Sequence, residues 1–147
     1  MIDWPSKEVP ELLALAGLHV AGNDGPGPED YSAYKVKDGE VVEHRTGREP
    51  ARADLIYSYH PLSELPEIIA TAKRLGAGTI WYQSGFAAGG VKDPKGCWVA
   101  EEELTLARNL VAAAGLSFLT EPYIGDVARE LRTDRARHET RKSKEPV

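Results

Sequence analysis

Asp54-Leu55-Ile56-Tyr57-Ser58-Tyr59-His60 and, after one helical stretch, Thr79-Ile80-Trp81-Tyr82 decide the fold of this chain. Both runs are short, apolar and rich in β-branched and aromatic residues, as strands are. Between them Leu65, Ile68, Ile69, Ala72 and Leu75 fall at helical spacing and make one apolar stripe. Pro66 is tolerated only in the first helical turn, which predicts a helix starting near Ser63. Gly76 suits the left-handed position that ends it. Asp54 to Tyr82 therefore reads strand–helix–strand.

The same pattern recurs from about Ala100 to Thr120. Glu101-Glu102-Glu103 sits where a helix N-terminus favours negative charge. Leu104, Ala107, Leu110, Val111 and Ala114 form the stripe, Gly115 stops it, and Leu116-Ser117-Phe118-Leu119 is the next strand. The resulting βαβαβ order predicts a parallel sheet covered on both faces, with right-handed crossovers. Further upstream, Val9, Leu12, Leu13 and Ala16 precede Gly17 and the apolar run Leu18-His19-Val20-Ala21, a third helix–glycine–strand segment between Ser6 and Asn23. The fold class is α/β: a Rossmann-like three-layer domain with a mostly parallel sheet. Asp38-Gly39 lies between Tyr34-Lys35-Val36-Lys37 and Glu40-Val41-Val42-Glu43, which predicts a small antiparallel hairpin over 34–45.

Domain organisation follows from composition. The chain has 147 residues, enough for one domain with a real core. Hydrophobic residues are 41% and charged residues 28%, a globular balance. Arg132 to Val147 holds six Lys/Arg against three acids and no large apolar residue before Val147. We expect the Rossmann-like domain over 1–131 and a charged flexible tail over 132–147, a frayed helix end or disordered. The net charge of −5 argues against general nucleic-acid binding. It does not exclude a small anionic ligand, because backbone N–H groups bind phosphate without a net basic protein. The one cysteine, Cys97, excludes an internal disulfide and a CxxC zinc site, and the histidines show no ligand spacing, so no metal is expected. The N-terminus lacks the features of a signal peptide, and no apolar run approaches the length of about 20 residues that spans a bilayer. A cytoplasmic location, with no membrane partner, is the expectation.

Ligands in open parallel sheets bind outside the carboxyl ends of the strands. After the first strand comes Gly22-Asn23-Asp24-Gly25-Pro26-Gly27-Pro28-Glu29-Asp30-Tyr31. Its glycines allow close approach to a pyrophosphate, but the spacing is not GxGxxG, and a plain surface turn is the competing explanation. After the second strand comes His60-Pro61, where His60 is either a polar strand end or a base in want of a partner. After the third comes Gln83-Ser84-Gly85: Gly85 permits close backbone approach, and Ser84 lacks the leading glycine of GxSxG, which disfavours a nucleophile. Ala87 to Trp98 is a long connection with Lys92 and Lys95, of a length usual for lids and interface loops. Cys97 is either packing or a free thiol near a ligand.

Asp54 to about Glu130 resembles the small stand-alone CoA-binding domain proteins, similar to the CoA-binding domain of succinyl-CoA synthetase. The resemblance rests on the Asp54–His60 strand, Pro61, Leu65-Pro66-Glu67-Ile68-Ile69, Gly76, Ile80-Trp81-Tyr82-Gln83-Ser84-Gly85 and Ala114-Gly115-Leu116. Val20-Ala21-Gly22-Asn23 with Pro26 and Tyr31 is similar to the family's first strand and phosphate loop. A rival alignment makes Leu18–Asn23 the second strand and leaves the phosphate loop absent. The chain departs from the family in three places. Only 31 residues separate Gly22 from Asp54, Glu121-Pro122-Tyr123 stands where the family often has a cysteine, and Ala87–Trp98 looks inserted. The resemblance implies binding of CoA, acyl-CoA or a related nucleotide, without catalysis. Gly22, Asn23, Gly25, Gly27 and Tyr31 would lie on the phosphate side, and His60, Pro61, Gln83, Ser84 and Gly85 along the pantetheine or adenosine. The expected partners are that small-molecule nucleotide and a second copy in a homodimer. Two other readings stand beside it: an enzyme acting on an acyl-CoA or nucleotide through His60 or Cys97, and a degenerate Rossmann domain acting through protein contacts.

Overall fold

All three glycine stops close their helices alike. In the computed structural model, which describes residues 8–23, 27–83, 97 and 99–144, Gly17, Gly76 and Gly115 take φ of 93°, 77° and 79°. They end α1 (Glu8–Leu15), α2 (Leu65–Leu75) and α3 (Glu101–Ala113). The residue after each glycine donates back to a carbonyl five positions earlier: Leu18 to Leu13, Ala77 to Ala72, Leu116 to Val111, at 3.1, 2.8 and 3.1 Å. This is the Schellman closure, which satisfies the last carbonyls and turns the chain toward the next strand. Pro66 falls at the start of α2, after a 3₁₀ turn over Leu62–Glu64, so its missing N–H breaks no helical bond.

The strands divide into two sheets. β1 (Val20–Asn23), β2 (Tyr31–Lys37) and β3 (Glu40–Arg45) form an antiparallel meander in the order β1-β2-β3. β4 (Leu55–Ser58), β5 (Thr79–Tyr82) and β6 (Ser117–Leu119) are parallel, in register Leu55↔Thr79↔Ser117. The expected α/β class and parallel βαβαβ unit are present. The hairpin is present too, turning on Asp38 and Gly39 at φ 53° and 80°, the two positive values a type I′ turn requires. One expectation is corrected: the run at Val20–Asn23 pairs antiparallel with β2 and does not join the parallel sheet. That sheet has three strands in chain order, and among the described strands their order nowhere reverses.

Three layers form around β4-β5-β6. Ile56, Ile80, Tyr82 and Phe118 meet Leu65 and Ala72 of α2 and Ala107 and Val111 of α3 on one face. Sequential right-handed crossovers put both helices on that same side. Tyr57 and Trp81 point to the other face, toward Val9 and Leu13 of α1 and Ile124 of α4 (Ile124–Lys144). Alternate strand residues thus feed two cores. The basic stretch beginning at Arg132, expected as a frayed helix end or disordered, is the C-terminal part of α4, which runs to Lys144. Arg135 explains part of that order: its Nη1 donates to the Ala16 carbonyl at 2.9 Å, giving the α1 C-terminus a cation where the helix dipole favours one.

Candidate functional site

The carboxyl ends of β4 and β5 carry the chemistry. His60 lies two residues past the end of β4. Its backbone N–H donates to Ser58 Oγ at 3.2 Å, and its ring lies 6.0 Å from the Tyr59 ring. Nδ1 is hydrogen-bonded to Glu64 Oε2. A carboxylate only accepts, so the proton sits on Nδ1 and Nε2 is the nitrogen able to exchange a proton. The His60 and Glu64 side chains are 26% and 44% exposed, open to a solute. Glu64 is the residue that reading the sequence missed. Its signal was the i, i+4 spacing from His60 across a proline into a helical turn, which brings both onto one side.

Gln83 occupies the end of β5 and is fully buried. Its backbone N–H continues the ladder to the Ser58 carbonyl at 3.0 Å. Its Nε2 donates to the Pro122 carbonyl at 3.2 Å, and its Oε1 accepts the Ile124 N–H at 3.4 Å. Trp81 Nε1 donates to the same Pro122 carbonyl at 3.0 Å. The Gln83 amide therefore caps the first turn of α4 from the neighbouring strand. Burial of this side chain is a consequence of that structural task.

Tyr31, Gly22, Asn23 and Gly27 lie elsewhere. Gly22 and Asn23 sit within β1, in register with Ser32 and Tyr31. The Gly27 N–H donates to Asp30 Oδ2 at 3.0 Å. The Tyr31 hydroxyl donates to Glu49 Oε2 at 3.5 Å, and Glu49 takes a two-pronged contact from Arg74, at 2.7 and 2.9 Å, in the last turn of α2. His60 and Glu64 mark the opposite end of that 11-residue helix, about 16 Å away along its axis. Of the sequence-derived residues, the fold brings His60, Pro61 and Gln83 to one sheet edge. It holds Gly22, Asn23 and Tyr31 on the antiparallel sheet, with Gly27 just ahead of the 3₁₀ turn Pro28–Asp30, and Tyr31 is linked through Glu49 to the other end of α2. Gly25, Ser84, Gly85, Lys92 and Lys95 lie outside the described residues.

Cys97 packs beside the core of Tyr82, Val111 and Phe118, and burial pushes its thiol pKa up. A raised pKa lowers the thiolate fraction, the opposite of what a nucleophile needs. Burial also pushes the Tyr82 hydroxyl up to about 12. Tyr57, its hydroxyl buried without a hydrogen-bond partner among the described residues, is raised as well. Among the described residues no three His, Cys, Asp or Glu side chains converge as a metal-holding group, and no helix is long and apolar enough to cross a membrane.

Comparison with family models, curated proteins and solved structures returned no match.

Proposed function

We propose that the chain is a binding module for CoA or a related nucleotide, received at the carboxyl edge of β4 and β5. The observation that supports this is the placement of His60 and Pro61 at that edge, with Gln83 fixing β5 beside them, at the carboxyl ends of parallel strands, the side on which open α/β sheets take ligands. The likeness to CoA-binding domain proteins rests on the same segment. With Gly22 and Asn23 held in the antiparallel sheet, the ligand would be read by the β4–α2 turn. The test is thermal unfolding with CoA, ATP or NAD. A ligand at about 100 times its dissociation constant stabilises the native state by roughly 2.7 kcal/mol. At about 2–4 °C per kcal/mol for a domain of this size, that is a rise of roughly 5–10 °C. An unchanged midpoint with all three at millimolar concentration refutes the proposal and favours a domain that acts through protein contacts.

A second reading, an enzyme that cleaves an acyl-CoA, is favoured by the His60–Glu64 pair, a base with an orienting carboxylate. Release of free thiol from acetyl-CoA by the wild type, lost in His60→Ala, would replace the first reading. Turnover no faster than in buffer removes the second.

A further inference from the structure

The outer face of the α2–α3 layer carries an apolar groove of about 350 Å³, lined by Leu62, Leu65, Glu103, Leu106, Ala107 and Leu110. Glu103, Leu106, Ala107 and Leu110 are spaced i, i+3, i+4, i+7 and so form one stripe of α3. Leu106 and Leu110 are 65% and 52% exposed, the two most exposed large apolar side chains among the described residues. Leu62 and Leu65 form the other wall, from the 3₁₀ turn and the start of α2. Two parallel walls with leucines one helical turn apart match the way an amphipathic helix lies in a groove.

Among the described residues, the charges at the starts of α2 and α3 beside the groove are acidic. Glu101, Glu102 and Glu103 crowd the first turn of α3, and no basic residue stands in its last turn. Glu64 and Glu67 stand at the start of α2. Arg108, the one cation of α3, is exposed but engaged on the Phe118 ring and Thr120 Oγ1, neither of which lines the groove. We infer that this groove docks an amphipathic helix of a partner protein, its leucine-type face in the groove and its flanks basic. The chain's own basic element does not fit: after Leu131, α4 carries no large apolar residue, so a second copy offers charge there without an apolar stripe. The inference does not depend on the nucleotide reading.

The probe is a synthetic amphipathic helix with leucines at helical spacing and lysine and arginine flanks, titrated into the intact chain and followed by fluorescence anisotropy. A second peptide keeps the leucines and carries glutamate flanks. The expected result is micromolar binding of the basic peptide, weakened by salt as screened surface charges require, and much weaker binding of the acidic one. Leu106→Ser with Leu110→Ser, and separately Glu102→Gln with Glu103→Gln, should each weaken the basic peptide about tenfold or more. All four side chains are exposed, so circular dichroism should stay as in the wild type, and the glutamine pair should melt only slightly lower, by the helix-dipole stabilisation it gives up. Three results overturn the inference. These are equal affinity for both peptides, no saturation by about 1 mM basic peptide, and a wild-type dimer in sedimentation that the double-serine variant dissolves, which would make a second copy the occupant.

Discussion

Gln83→Leu tests whether the residue at the end of β5 is a structural latch or a ligand contact. The substitution keeps a large apolar side chain in a fully buried position and removes the amide. Two side-chain hydrogen bonds among the described residues are lost. The Pro122 carbonyl loses one donor but keeps Trp81 Nε1, so that half of the change should cost about 1 kcal/mol. The Ile124 N–H loses its acceptor at a residue only 2% exposed, at the first turn of α4 where no intrahelical partner exists. An unsatisfied buried donor costs about 1–3 kcal/mol. The sum is roughly 2–4 kcal/mol, a drop in melting temperature of roughly 4–16 °C for a domain of this size. Urea unfolding followed by circular dichroism gives the free energy directly, and an unchanged m-value keeps the comparison two-state. A variant within about 0.5 kcal/mol of the wild type would refute the latch. If that variant also lost a CoA-induced rise in midpoint, Gln83 would be a ligand contact after all.

Other expectations follow from the same contacts. Gly17→Ala should destabilise by about 1–2 kcal/mol in urea unfolding, because φ of 93° is left-handed and a Cβ there meets the Arg135 guanidinium. The Arg74 hydrogen bond holds the Glu49 carboxyl below its ordinary range. A depressed carboxyl pKa contributes stability that is present above the unfolded pKa and lost as pH falls through the folded one. Glu49→Gln should therefore lower the urea midpoint near neutral pH, less so in high salt, and the difference from the wild type should shrink as the pH falls below the ordinary carboxylate range. The raised Cys97 pKa should make the native thiol slow toward a thiol reagent at about pH 8, with unfolding in urea speeding the reaction at least about tenfold. A native thiol as fast as the unfolded one would mean that Cys97 is not packed as described.

The division between what the sequence disclosed and what it hid has a physical basis in range. Helix ends, the hairpin turn and the place of Pro66 are set within five residues, by φ preferences and missing donors, and all of these were legible. So were the apolar strands at Ile56-Tyr57 and Ile80-Trp81-Tyr82, since a strand with both faces buried is apolar on both, as these are. Strand pairing between distant segments is not set locally. The run Leu18-His19-Val20-Ala21 follows a helix and a glycine, as β5 and β6 do, yet β1 pairs with β2, only eight residues further along the chain. A local pattern states that a segment is a strand and leaves its partner open. The same limit hid the latch: Gln83 and Ile124 are 41 residues apart, and a glutamine before a glycine reads equally as ligand contact or cap. The His60–Glu64 pair lies between these cases. Its spacing is local, but it becomes a pair only if the chain turns helical directly after Pro61, and the 3₁₀ turn at Leu62–Glu64 supplies that geometry. A proline that halts β4 and opens the next helix thus brings a carboxylate onto the imidazole at the sheet edge. The fold and the candidate site share that one turn, so a substitution that straightens it should separate His60 from Glu64 while leaving the β4–β5 ladder intact.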